Sequence, residues 1–145
     1  MAVVPALLEL GATEVSIWDV VRERADRLAG DFGERVLAID ATRNRSAIAD
    51  ADGLVNATPI GMTNYPGTAF DPAFIGSQGW CFDAVYTPTD TAFLTLATGH
   101  GLIGLSGFDL FRFMALRSFT AYTGVTPDRV TTLAKLDELR PVGVA

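Results

Sequence analysis

The sequence predicts a doubly wound parallel α/β domain. Short apolar runs at residues 14–19, 36–40, 53–56, 80–86 and 102–105 read as strands, and most of the segments between them carry helical periodicity. One strand also breaks abruptly at Asn56 into a loop that holds Thr58, Pro59 and Gly61. That combination gives hydrogen-bonding side chains, a fixed φ at the proline and a permissive backbone at the glycine. Ligands of open α/β sheets bind outside the carboxyl ends of the strands, so the stretch 56–62, N-A-T-P-I-G-M, is the first place to look for function.

The remaining elements follow in order. Val3, Val4, Leu7, Leu8 and Leu10 fall at helical spacing, and Gly11 supplies a stop. Residues 14–19 alternate polar and apolar and end in Asp19; an acid at that place in a nucleotide-binding βαβ unit can take hydrogen bonds from the adenosine ribose hydroxyls. Residues 20–32 form an amphipathic helix with Val21, Ala25, Leu28 and Ala29 on one face, ended by Gly33. After the strand at 36–40, Ser46 is placed to cap a short helix to Ala51. Asp71 and Pro72 suit the cap and first turn of another short helix. Residues 80–86 read as a buried strand, 91–99 as a helix, 102–105 as a short strand and 108–122 as a long helix. Thr126 or Pro127 opens a last helix toward Leu139. The domain is expected over residues 1–140, with a loose tail from 141 to 145.

Composition narrows the function classes. A chain of 145 residues is one domain's worth, and 49% hydrophobic with 19% charged residues excludes a disordered one. A net charge of -6 argues against a nucleic-acid surface, which needs clustered Lys and Arg. No run approaches the roughly eighteen apolar residues of a membrane span, and residues 1–10 lack the basic start and cleavage site of a signal peptide; the expected compartment is the cytoplasm. Cys81 is the sole cysteine, so a disulfide framework and a cysteine metal cluster lack their residues, and His100 as the sole histidine gives little support to a His-based zinc site or a Ser/His triad. Cys81, between Trp80 and Phe82, reads as a core thiol, and His100, between Gly99 and Gly101, as a surface turn.

Three stretches in this order resemble the signature of the shikimate and quinate dehydrogenase family. They are N-A-T-P-I-G-M at 56–62, D-x-x-Y-x-P-x-x-T from Asp83 through Tyr86 and Pro88 to Thr91, and Ser106-Gly107 followed by F-x-x-x-T-G from Phe119 to Gly124. The resemblance runs from about Leu7 to Gly124. It implies a Rossmann-like NAD(P)-binding domain and hydride transfer between a nicotinamide cofactor and the ring hydroxyl or ketone of shikimate or quinate. It further implies an earlier strand with a Gly-rich turn, and an N-terminal domain carrying a catalytic lysine and aspartate. The chain as given matches neither, starting inside the helix after that turn. It is therefore expected to be incomplete at the front, inactive alone, and weakly stable or self-associating where the absent strand leaves open sheet edges.

Carried over by position, the resemblance places Asn56, Thr58 and Pro59 along the cofactor, Ala84 behind the nicotinamide, and Gly107 and Leu110 at its nicotinamide end; Tyr86 would contact substrate. Met114 stands where the family has a substrate-binding glutamine, and it cannot exchange hydrogen bonds with a polyol acid. Arg112 could compensate or could be an exposed helix arginine, and Ser106 stands where the family often has Asp. Asp19-Val20-Val21 replaces the N-R-T that holds the 2′-phosphate of NADP in relatives, so the expected cofactor is NAD in preference to NADP, with Arg24 as a possible competing phosphate ligand. The alternative function is a non-catalytic module that binds nucleotide or pairs with a separate N-terminal chain. A glutamyl-tRNA reductase relative would leave 56–62 and the Tyr86 segment together unexplained.

Overall fold

The structure is a computed structural model that describes residues 3–141; the tail expected after Pro141 lies outside the described residues. The chain forms two compact units, one ending at Ala49 and one beginning at Asp50.

The first unit contains α1 (Val3–Glu9), β1 (Val15–Ile17), α2 (Arg22–Phe32), β2 (Val36–Ala38) and most of α3 (Ala41–Asp50). β1 and β2 pair in parallel, Val15 opposite Val36 and Ile17 opposite Ala38. The amphipathic reading of α2 holds for Ala25, which is fully buried, and for half-buried Leu28 and Ala29, with the arginines around them exposed. The helix begins at Arg22, however, and Val21, expected on the same face, is the exposed residue before it. Gly33, at φ 74°, then stops the helix in a conformation that other residues avoid. α3 corrects the sequence reading. It begins at Ala41, and the cap is supplied by Asp40, whose Oδ1 accepts the amides of Thr42 at 2.9 Å and Arg43 at 3.0 Å. Ser46 sits inside the helix and donates back to the Arg43 carbonyl.

The second unit holds a parallel sheet in the order β3 (Gly53–Asn56), β4 (Trp80–Asp83), β5 (Ile103–Leu105). The β3 to β4 connection carries a single 3₁₀ turn at Pro72–Phe74, capped by Asp71 as expected. α4 (Ala92–Gly99) links β4 to β5 and is capped by Thr91. α5 (Gly107–Thr123) ends at Gly124, φ 69°, and α6 (Arg129–Asp137) begins at an Asp128 cap, two residues later than Thr126. Leu54, Cys81, Val85, Phe93, Ala97 and Leu102 form the buried centre. β4 stops at Asp83, so Tyr86 lies beyond the strand, and β5 is an exposed edge strand with Ile103 73% accessible.

The expected parallel architecture is therefore present as a two-stranded sheet in the first unit and a three-stranded sheet in the second. No described helix is long and apolar enough to cross a membrane. Cys81 is buried, and its thiol is pushed up by that burial and by the nearby Asp83. His100 lies at the exposed end of α4, its Nδ1 2.9 Å from the Leu96 carbonyl.

Candidate functional site

In the second unit β3 and β4 end side by side, Asn56 opposite Asp83 in the parallel register. Both side chains are buried, at 1% and 0% exposure. The Asn56 amide spans the following loop. Its Nδ2 donates to the Ile60 carbonyl at 2.8 Å and to Asp83 Oδ1 at 3.0 Å, while its Oδ1 accepts from Thr58 N at 3.0 Å and Thr58 Oγ1 at 2.7 Å. Thr58 Oγ1 in turn accepts from Ile60 N at 3.1 Å. Asn56 therefore acts from beneath the loop, whereas Pro59 is exposed on it and Thr58 half-buried.

Asp83 also accepts from Val85 N at 3.0 Å and, through Oδ2, from Thr91 Oγ1 at 2.6 Å. Burial pushes its carboxyl up, against the opposing influence of the bonds from Thr91, Val85 and Asn56. Gly61, at φ 108°, closes the loop over the same group, where a Cβ would lie 3.3 Å from the Thr91 methyl.

The start of α5 completes this edge. Gly107 donates its N–H to the Val85 carbonyl at 3.2 Å, and a Cβ there would fall 2.5 Å from the Ala84 carbonyl oxygen and 2.6 Å from that of Val85. Ala84 is half-buried, and its own N–H goes to the Asn56 carbonyl at 2.9 Å. Tyr86, Leu110 and Met114 are exposed, at 59%, 44% and 56%. Arg112 is not an exposed helix arginine. It is mostly buried, pairing with Asp109 at 2.5 Å and Asp137 at 2.9 Å, so it is engaged in holding α5 and α6 together. Ser106 caps α5, exchanging bonds with Asp109 in a capping box.

In the first unit a cleft of about 490 Å³ opens at the carboxyl ends of β1 and β2, lined by Trp18, Asp19, Val20, Arg22, Ile39 and Asp40 among others. Asp19 Oδ1 accepts from Val21 N at 2.8 Å. The sequence reading named Arg24, but the arginine lining this cleft is Arg22, tied to Asp26 at 2.8 Å and reaching the Ala38 carbonyl at 3.4 Å. Arg24 is exposed elsewhere on α2. The second carboxylate, Asp40, was also missed, although it ends its strand as Asp19 does. Bonds from the Thr42 side chain and the Arg43 amide, with lesser help from the Thr42 amide and the Arg22 charge, outweigh the effect of burial and hold its carboxyl below the usual range.

A smaller cleft of about 240 Å³, between Leu94, Thr98, Gly104, Ser106, Asp109 and Arg140, contains none of the sequence-predicted ligand residues. Among the described residues no cluster of His, Cys, Asp or Glu could hold a metal ion.

Parallel strands, crossover helices and functional motifs at the strand ends define a Rossmann-like α/β domain. No protein-family model matches the chain, but its relatives are specific. It is 37% identical over 132 residues to the quinate/shikimate dehydrogenase (NAD(+)) of Corynebacterium glutamicum, covering 88% of this chain and 47% of that one. It is 36% identical over 143 residues to the shikimate dehydrogenase (NADP(+)) of Streptomyces avermitilis, covering 95% and 49%. Among solved structures it superposes on the Corynebacterium glutamicum quinate dehydrogenase in complex with NAD, with TM-score 0.81, 35% identity, 92% of this chain and 48% of that one. It also superposes on the Thermus thermophilus shikimate 5-dehydrogenase in complex with NADP(H) and shikimate, with TM-score 0.75, 28% identity and coverage of 92% and 48%. The chain is a homologue of the shikimate and quinate dehydrogenases, and it spans about half the length of the curated relatives it matches.

Proposed function

We propose that this chain supplies the nucleotide-binding part of a shikimate or quinate dehydrogenase, and that it takes NAD in preference to NADP. The observation that carries the reading is the cleft at the ends of β1 and β2, where Asp19 lies beside the first turn of α2. One oxygen of Asp19 is held by the Val21 amide, and among the described residues the other has no protein donor, which suits a ribose diol. The nicotinamide cofactor, when bound, supplies the hydride chemistry; the chain's own residues bind and orient it. Gly107, pressed against the main chain of Ala84 and Val85, keeps α5 clear of Cβ atoms where the nicotinamide end belongs by family position. Tyr86 would meet a polyol acid substrate, with Met114 offering it no hydrogen bond.

The preference for NAD follows from charge. A 2′-phosphate in this cleft meets Asp19 and Asp40 with Arg22 already paired to Asp26. Two like unit charges ~4 Å apart repel by roughly 4 kcal/mol at an effective dielectric of ~20, before solvent and salt reduce it. A preference of at least about tenfold corresponds to only ~1.4 kcal/mol of that. Quenching of tryptophan fluorescence, with Trp18 in the cleft, should therefore show tighter binding of NADH than of NADPH, and the Asp19→Asn, Val20→Arg double variant should narrow the difference. Binding of neither nucleotide, or tighter binding of NADPH by the unmodified chain, overturns the reading.

Hydride transfer also needs a proton relay, and by resemblance that pair, a lysine and an aspartate, has no counterpart in these residues. Residues 1–145 alone should bind nucleotide without turning over shikimate or quinate.

A further inference from the structure

We propose that Asp83 is a positioning residue which, by fixing the orientation of the Asn56 side-chain amide, sets the shape of the loop at residues 58–61. The inference deepens the cofactor reading above and rests on it only for the ligand arm of its test.

Asp83 and Thr91 are the first and last residues of the D-x-x-Y-x-P-x-x-T segment, and no ligand role falls to either. The structure joins them to each other and to the first residue of the N-A-T-P-I-G-M segment, so the two motifs are one hydrogen-bonded group. Asn56 is the pivot. An amide can present either its N–H₂ or its oxygen to a neighbour, and the neighbour decides which. A carboxylate accepts only, so Asp83 requires Nδ2 on its side. That leaves Oδ1 as the acceptor for Thr58 N and Thr58 Oγ1, and the second Nδ2 proton for the Ile60 carbonyl.

The far end of the loop rests on the same group, since Gly61 sits against Thr91, with Asp83 Oδ2 3.8 Å from where its Cβ would be. A fully buried carboxylate with no cation among the described ion pairs is a costly thing to keep. An asparagine at position 83 would cost less to bury. It would also free the Asn56 amide to turn over and remove the acceptor of two loop donors. Acceptor-only character at position 83 is what the arrangement uses.

The test is hydrogen exchange on the full 145-residue chain, read residue by residue. In Asp83→Asn, the amides of Thr58 and Ile60 should exchange at least about tenfold faster while those of β4 and β5 stay within about twofold. The swap Asp83→Asn with Asn56→Asp puts an acceptor back under the loop, and should return most of the protection at Thr58. A role in general packing predicts no such rescue. Should Asp83→Asn not fold, the unmodified chain gives a second readout. The Asn56 side-chain amide protons should exchange at the pace of the Thr58 and Ile60 amides; side-chain protons at least tenfold faster overturn the proposal.

For the ligand arm, Asp83→Asn should weaken NADH about tenfold and leave AMP, which lacks the nicotinamide end, within twofold. Faster loop exchange with unchanged NADH binding would remove the loop from the cofactor site and leave Asp83's positioning role standing. Loop protection that does not change in Asp83→Asn overturns the positioning role, whatever the nucleotides do.

Discussion

A single missing methyl group at Gly107 lets the first turn of α5 close on the end of β4. The atoms a Cβ would meet are main-chain carbonyls of Ala84 and Val85, which cannot swing aside as the tip of a long side chain can. Gly107→Ala must therefore push the helix outward, lengthen the 3.2 Å bond from its N–H to Val85, and disturb the strand end next to Asn56. Overpacking of this kind costs typically 1–3 kcal/mol, and we expect about 2–3 here, read as a lower urea midpoint with an unchanged slope. Gly30, inside α2, is the matched control, because nothing lies within 4 Å of its Cβ position. Gly30→Ala should stabilise by up to ~1 kcal/mol through helix propensity alone. A neutral Gly107→Ala would mean that α5 is not seated on those carbonyls. Gly107 was recognisable in the sequence from its motif, but the packing that demands a glycine there was not, because the carbonyls come from a distant strand end.

At the scale of elements, α5 is held at its start by the Ser106–Asp109 capping box and to α6 by Arg112, which bonds Asp109, Asp137 and the Leu133 carbonyl. Ser106→Ala removes the hydroxyl that accepts the Asp109 amide and donates to its carboxylate at 2.6 Å. The expected loss is about 1–2 kcal/mol of stability, with the helical circular dichroism of the folded chain retained; no loss would show that the capping box does not hold the start of the helix. Such local features were largely legible in the sequence. Asp71 and Gly33 bound their elements where turn and cap chemistry puts them, and the order of strands and helices followed from periodicity. Asp40 was passed over for Ser46, a residue of similar capping propensity, and Asp128 for Thr126 or Pro127, although aspartate is the better cap there. Arg112 was misjudged for a different reason: its partner Asp137 is on another helix, and only packing brings it near. The same applies to Asp83 and Thr91, whose motif positions were visible while their bonds to each other and to Asn56 were not. Arg22 and Arg24 are separated only by which way α2 turns relative to the cleft.

For the whole molecule, pH separates the groups that act on the two sides of an ordinary carboxylate pKa. Asp109 is pushed up first by burial, but bonds from the Ser106 side chain and amide and from Arg112 outweigh that and hold it below the model-compound value of 3.8. Asp40 and Asp128 are also held low, each chiefly by a threonine side chain, Thr42 and Thr131. For these three the unfolded chain binds protons more readily. The stability they lend is complete above 3.8 and lost as pH falls through their lowered values. Asp83 has the opposite sign. Its folded pKa is raised by burial, so between 3.8 and that raised value the native state holds the extra proton and stability falls as pH rises. One such group can contribute a slope of at most about 1.4 kcal/mol per pH unit. The urea midpoint should therefore increase as pH drops from neutral toward 4, then decrease below it. Relief of self-repulsion at a net charge of -6 contributes to the upper limb as well, so the variant isolates the group. Asp83→Asn should flatten that limb and leave the lower one, whereas Asp109→Asn should flatten part of the lower limb only. An upper limb equally steep in Asp83→Asn would assign it to net charge and show that the carboxyl beneath the loop does not titrate above its ordinary range.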